Sequence, residues 1–201
     1  DIVLVGNGGT GQNNIRVIDV TSGTIVRTIA SPSLASNHGV LVDGTGRYLY
    51  NSNAAVSAGN MKIVKFDLGT LSEVGAYTQY VSGLTGGLCG IEWEGNNPAS
   101  GKIWTGDMDA GADRGGLYEF NAGTSSFTGG YIDAQTGASN GQTCGIGWNS
   151  SNSVAYTSLM QGQKAIKFTW TGSGSTMGTA TATATWNHML DTAKVGGYAY
   201  V

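Results

Sequence analysis

The chain has 201 residues, a formal net charge of −3 and only 11% charged residues. It has ten Lys and Arg residues and no basic run, which argues against a nucleic-acid partner. A membrane span is not expected, because no stretch approaches the roughly 18 consecutive apolar residues that a spanning helix needs.

The residue types point to a β-rich protein. The 34 glycines, together with many Ser, Thr and Asn residues, favour tight turns, because Gly and Asn adopt positive φ readily. The disorder signature of few apolar residues and high net charge is absent, since 40% of the residues are hydrophobic. This composition favours an extracellular or cell-surface location, with the periplasm as an alternative.

The first predicted strand, Ile2 to Val5, leads into "GNGGTG", which matches the dinucleotide-binding pattern G-x-G-x-x-G. That pattern needs a helix after the glycines, because the helix N-terminus faces the pyrophosphate. The residues that follow, "IRVIDV", instead alternate apolar and polar side chains and predict a strand. We therefore interpret the glycines as a loop between two strands.

Four similar stretches recur along the chain at intervals of 44 to 55 residues. They begin at His38 ("HGVLVDGTGRYLYNSN"), Cys89 ("CGIEWEGNNPASGKIWTGD"), Cys144 ("CGIGWNSSNSVAYTS") and His188 ("HMLDTAKVGGYAYV"). Each combines a short apolar run, a polar Gly- or Asn-containing turn and a second run. This order predicts the first two strands of a repeated unit.

A second hairpin belongs to each unit. The four candidates are "NIRVIDVTSGTIVRTI", "KIVKFDLGTLSEVGAY", "GLYEFNAGTSSFTGGY" and "AIKFTWTGSGSTMGTATATA". Four strands in 44 to 55 residues are typical of a propeller blade. We predict an all-β fold, a single β-propeller domain over residues 1–201, built of four-stranded antiparallel blades. The units are 1–37, 38–88, 89–143, 144–187 and a partial unit at 188–201.

The stretches "NHGVLVDGTGRYLYNSN" and "IRVIDVTSGTIVRTI" resemble the YVTN-type β-propeller repeat, with NHL-type propellers as close relatives. The resemblance covers nearly the whole chain and is strongest over residues 1–81. It is weaker over 85–187, where the inserts are longer and Cys stands in place of His at the strand start. It implies a fold and no particular reaction, because propellers include binding scaffolds and enzymes.

The two ends of the chain have the same phase in the repeat. "DIVLVGN" at the start and "GGYAYV" at the end both read as the second strand of a unit. A ring closes when one terminus supplies the strand that the other lacks. We therefore expect an excerpt of a larger propeller, with a small closed propeller and strand pairing with another chain as alternatives.

The four unit starts His38, Cys89, Cys144 and His188 form one candidate site. Equivalent positions of first strands surround the axis of a propeller, and two His with two Cys suit zinc or copper. Three alternatives stay open: imidazoles bonded to nearby backbone, buried thiols, and a Cys89–Cys144 disulfide. The disulfide requires the two Cα atoms to lie within about 7 Å of each other.

An acidic stretch, "GDMDAGADRGG", is a candidate calcium site. Asp107, Asp109 and Asp113 supply hard oxygen ligands around Gly111, in what reads as a loop. The stretch departs from the EF-hand pattern because no Glu closes it. A solvated acidic loop, with Arg114 neutralising one carboxylate, is the alternative.

Two further features concern the predicted first strands. Trp93 and Trp148 occupy matching positions there and are expected to pack between units. Glu92 alternates with Trp93 and would point away from it, as a lone acid or base near the channel. A lone carboxylate is weak support for catalysis.

The leading functional hypothesis is an extracytoplasmic binding or structural scaffold, with no certain cofactor. It would present the loops 54–60, 107–115 and 161–164 to a protein or glycan partner. One alternative is a lyase or metal-dependent oxidoreductase, with His38 and His188 near the channel mouth. Another is a filament or sheath subunit that self-assembles through its terminal strands.

Overall fold

The computed structural model describes residues 1–6, 13–53, 61–79, 86–107, 116–133, 143–149, 154–159, 164–169 and 181–187. These residues form fifteen strands and two short 3₁₀ turns, Glu94–Asn96 and Pro98–Ser100. The strands are β1 (Ile2–Gly6), β2 (Asn14–Asp19), β3 (Ile25–Ala30), β4 (Asn37–Val42), β5 (Tyr48–Asn53), β6 (Lys62–Asp67), β7 (Ser72–Thr78), β8 (Leu88–Trp93), β9 (Lys102–Asp107), β10 (Gly116–Asn121), β11 (Ser126–Asp133), β12 (Thr143–Trp148), β13 (Val154–Leu159), β14 (Lys164–Thr169) and β15 (Thr181–Asn187).

The strands form four sheets in which each strand lies beside its neighbour in sequence. Strands β4 to β7, β8 to β11 and β12 to β15 make three four-stranded sheets, and the described part of the first sheet contains β1, β2 and β3. The paired strands with a defined register are antiparallel. The predictions of an all-β fold and of antiparallel sheets are therefore confirmed.

The chain divides into two compact units, Asp1–Leu88 and Cys89–Val201. The described core of the first unit contains Ile15, Val17, Ile29, Leu34, Leu49, Val64 and Phe66. The described core of the second unit contains Trp104, Leu117, Ile132, Trp148, Ala155 and Ile166. Each core draws side chains from two sheets, so face-to-face burial of apolar side chains stabilises each unit. Trp148 packs there between sheets, as the sequence predicts.

The turn before the last described strand has the same side-chain chemistry in three sheets. Asp19 Oδ1 accepts a hydrogen bond from the amide of Thr21 at 2.7 Å. Asp67 Oδ1 accepts one from Gly69 at 2.8 Å, and Asn121 Oδ1 accepts one from Gly123 at 2.9 Å. Such turns reverse the chain within a few residues, because the side chain replaces a backbone acceptor.

The turn between the first and second strands is repeated as well. The Asp43 carboxylate accepts hydrogen bonds from the amides of Arg47 and Tyr48, each at 2.9 Å. Asn149 occupies the same place in the fourth sheet, and its Oδ1 accepts a hydrogen bond from the amide of Val154 at 3.0 Å. Burial acts to raise the pKa of Asp43, but the hydrogen bonds from the Thr45 hydroxyl and nearby amides lower it overall.

Glycine at the end of β9 allows two sheets of the second unit to approach closely. A Cβ atom on Gly106 would overlap the carbonyl oxygen of Thr143 in β12 and lie 3.1 Å from that of Cys89 in β8. The first unit has a looser version of this approach. A Cβ on Gly6 would lie 3.2 Å from the carbonyl oxygen of Asn37 in β4.

This approach predicts that Gly106→Ala destabilises the second unit, by about 1–3 kcal/mol, because β12 must shift away and lose apolar contact. Thermal unfolding followed by near-UV circular dichroism measures the loss. Gly123→Ala is the matched control, since its added methyl group would meet only the Asn121 side chain, at 3.3 Å. Equal melting temperatures for the two variants would contradict the prediction.

Candidate functional site

The first strands of three sheets carry irregularities at equivalent places. In β4 the register shifts between Asn37 and Gly39, and in β12 it shifts between Cys144 and Ile146. Gly145 has φ 83°, and Gly90 in β8 has φ 53°. These are left-handed conformations that glycine adopts without steric cost. Bulges change the direction of the side chains that follow them, and they are frequent next to binding sites.

A polar side chain on the second strand binds a carbonyl of each irregular segment. Asn51 Nδ2 donates to the Gly39 carbonyl at 2.8 Å, and Thr157 Oγ1 donates to the Gly145 carbonyl at 2.6 Å. Thr105 Oγ1 donates to the Cys89 carbonyl at 3.4 Å. These side chains give the carbonyls of the irregular segments a hydrogen-bond donor, which buried backbone groups require.

A groove of about 270 Å³ lies beside the β12 bulge in the second unit. We call it the Glu92 groove. Its lining residues are Glu92, Asn96, Gly145, Ile146, Gly147, Trp148, Tyr156, Thr157, Ser158 and Ala165. It therefore combines one carboxylate, an amide, hydroxyl groups and aromatic rings, which is the mixture that fixes a polar ligand in an apolar setting.

Glu92 is half-buried at the edge of this groove. Its Oε1 accepts a hydrogen bond from the amide of Trp93 at 2.8 Å. Burial raises the pKa of Glu92, and the hydrogen bond from Trp93 only partly opposes that effect. In the described part of the chain the ion pairs are Arg47–Asp67 and Lys102–Glu119. The Glu92 carboxylate thus lacks a salt bridge within that part.

The walls of the groove are held by contacts of their own. Asn96 Nδ2 donates to the backbone carbonyl of Trp148 at 3.0 Å, which ties the 3₁₀ turn to β12. Trp148, Thr157 and Ser158 are each at most 5% exposed. A ligand would therefore meet a wall whose side chains are already ordered, which lowers the entropic cost of binding.

The described structure places Cys89 in a disulfide. Cys144 is the only other cysteine in the sequence. The sequence left this bond open as one alternative, limited by the separation of equivalent strands. The glycine at position 106 supplies the close approach that the bond needs, because it lies between the backbones of Cys89 and Thr143.

The other members of the predicted ring are described only in part. His38 lies on β4 in the first unit, where burial lowers the pKa of its imidazole. His188 lies outside the described residues. Cys89 is a cystine and not a thiolate, the form that binds zinc or copper. No group of three or more His, Cys, Asp or Glu side chains suited to a metal ion occurs among the described residues.

The predicted calcium ligands fall partly on described residues. Asp107 is the last residue of β9, and not part of a loop. Its side chain is fully buried, and its Oδ2 accepts a hydrogen bond from the Tyr118 hydroxyl at 3.3 Å. Asp109 and Asp113 lie outside the described residues, as do the loops 54–60 and 108–115 and residues 161–163.

Comparison with known proteins gives a match of fold. No protein-family model matches the sequence, and no curated protein is similar to it. The structure is similar to a chain of Kuenenia stuttgartiensis hydrazine synthase, with a TM-score of 0.66 and 13% sequence identity. The alignment covers 83% of this chain and 49% of that chain, so this chain spans about half of its length. At this identity the likeness concerns the fold and not the activity.

The disulfide leads to a direct test. Replacing Cys89 and Cys144 together by Ser is expected to lower the free energy of unfolding of the second unit by about 2–4 kcal/mol, because the bond closes a long loop in the unfolded chain. Denaturant titration with and without a thiol reductant measures this change. The reductant should lower the midpoint of the native protein and leave that of the variant unchanged. A native midpoint insensitive to full reduction would contradict the prediction.

Proposed function

We propose that the protein is an extracytoplasmic β-propeller scaffold, which binds a polar group of a protein or glycan partner in the Glu92 groove. The observation that carries the proposal is the groove itself. A half-buried carboxylate, hydroxyls and aromatic rings converge on a space large enough for one sugar ring or one side chain. Such a mixture of apolar surface and a few oriented polar groups is typical of binding sites.

The propeller architecture is supported by the order of the sheets. Three of them are four-stranded meanders of consecutive strands, and the repeated turns and bulges occupy equivalent positions. The chain is also similar in fold to about half of a hydrazine synthase chain. In propellers, four-stranded sheets repeat around an axis, and this arrangement protects the edge strands of the sheets.

The extracytoplasmic location is supported by the disulfide at Cys89. Such bonds persist in oxidising compartments and are rare in the reducing cytosol. The described part of the chain contains no helix whose length and apolarity would suit a membrane crossing.

Binding is tested on printed arrays of sugars and of short peptides. Ala165→Leu fills the groove, because Ala165 lines it, whereas Ala99→Leu adds the same side chain at an exposed position outside it. We expect the native protein and the Ala99 variant to retain a subset of array spots, and the Ala165 variant to lose them at least about tenfold.

Circular dichroism of both variants checks that they fold. Failure of the native protein to retain any spot would overturn the proposal, as would equal retention by the folded Ala165 variant. The class of the retained spots decides between a glycan and a protein partner.

Assembly through the first strand is a second candidate function, because β1 exposes apolar side chains. Ile2, Val3 and Val5 are 63%, 48% and 40% exposed, and in the described residues β1 pairs only with β2. An uncovered apolar edge is a template for pairing with another chain. The partner on this reading is a second copy of the chain.

Sedimentation velocity over a hundredfold concentration range tests assembly. The native protein should grow in mass with concentration, and Val3→Lys should prevent growth, because a charge on an edge strand opposes pairing. Val20→Lys is the control, since Val20 is 55% exposed but lies in a turn. A constant mass for the native protein, or growth of the Val3 variant, would exclude this candidate.

A further inference from the structure

The charge within the Glu92 groove is one-sided. Glu92 is the only lining residue with a carboxyl group, and no lining residue carries a basic side chain. Removing a carboxylate from water is costly unless a donor or a cation compensates for the lost hydration. The compensation shown for Glu92 is one backbone amide at 2.8 Å, which leaves most of its acceptor capacity to a ligand.

The charged and titratable groups of the surrounding elements lie as follows. Tyr156 lines the groove from β13, and Lys167 stands opposite it in the register of β14. Glu94, two residues after Glu92, accepts a hydrogen bond from Trp104 Nε1 at 2.9 Å. Lys102 pairs with Glu119 at 3.2 Å. None of these lysines forms part of the groove lining, so the Glu92 carboxylate sets its charge.

We infer that the Glu92 groove binds a primary ammonium group, held by the Glu92 carboxylate and by the hydroxyls of Tyr156 and Ser158; this inference rests on the proposed binding function. An ammonium carries three donors and no acceptor, which suits a carboxylate flanked by hydroxyl oxygens. The aromatic rings of Trp148 and Tyr156 also favour a cation over a neutral group.

The size of the groove narrows the ligand further. A volume of about 270 Å³ is small compared with sites for drug-sized molecules, so one sugar ring or one extended side chain fits. Two sources carry a primary ammonium on such a group: an amino sugar and a lysine side chain. Their shared chemistry is the ammonium, and the experiment separates them.

Four small probes test the inference at low ionic strength. Glucosamine is compared with N-acetylglucosamine, and Nα-acetyllysine methylamide with its Nε-acetylated form. Each acetylated partner has the carbon skeleton of its parent but lacks the ammonium charge. Titration calorimetry, supported by intrinsic tryptophan fluorescence, gives the affinities. We expect at least one ammonium probe to bind about tenfold more tightly than its acetylated partner, because charge-assisted hydrogen bonds are the stronger ones.

Glu92→Gln removes the charge and keeps the shape, so it should abolish this preference. Glu92→Asp keeps the charge on a shorter side chain and should retain part of it. The preference should also weaken as the pH falls through the raised pKa of Glu92, since the protonated carboxyl no longer attracts a cation.

Equal binding of charged and acetylated probes, or an unchanged preference in a folded Glu92→Gln variant, would overturn the inference. The proposed function has a separate outcome. If Ala165→Leu abolishes array binding while Glu92→Gln has no effect, the groove is a binding site for a neutral group and only the ammonium assignment fails. Selective binding of glucosamine identifies an amino-sugar source, and selective binding of the lysine probe identifies a protein source.

Discussion

The close approach of Thr143 to Gly106 is the contact on which the second unit depends. At this point the backbone of β12 occupies the space that a side chain on β9 would otherwise fill. The carbonyl of Cys89 lies against the same glycine. The backbones of β8, β9 and β12 are therefore close together at a point where the residue on β9 has no side chain. Gly6 and Asn37 repeat the arrangement in the first unit at a slightly larger distance. Glycine at the end of β1 and of β9 is therefore needed for packing, and its conformational freedom is secondary here.

Several features of the groove follow from that contact. Cys144 comes directly after Thr143 in β12. The bulge at Gly145 comes next along β12, and the groove wall begins there. One strand therefore carries the packing contact and part of the groove wall within a few residues. A site on such a strand inherits the rigidity of the sheets, which limits the reorganisation that a ligand must induce.

Most of the fold could be predicted, because it depends on residues that are close in sequence. Most of the site could not, because it depends on residues that are far apart in sequence. The turns at Asp19, Asp67 and Asn121 can be predicted from the sequence, because each turn is stabilised by hydrogen bonds within a few residues. Leu71 and Ser125 occupy the left-handed position of two such turns, at φ 56° and 53°, and neither residue type signals that conformation. Asp107 reads as a loop residue in the sequence, but it is the last residue of β9. Glu92 could be singled out from strand alternation, but its groove could not, because Tyr156 and Ser158 lie more than sixty residues away in sequence.

The Glu92 carboxylate works against the stability of the fold that contains it. Burial raises its pKa, so the folded unit disfavours the ionised form; this glutamate therefore contributes stability at low pH that is lost as the pH rises through its folded-state pKa. At neutral pH the second unit bears that cost, while the disulfide and the core around Trp104 and Trp148 act in the opposite direction. In the rest of this unit the turn residues and the core residues suit the fold. A half-buried carboxylate with little compensation departs from that rule, and such departures are expected at binding sites. A bound cation would remove the conflict, and stability and binding would then be linked through the same carboxylate.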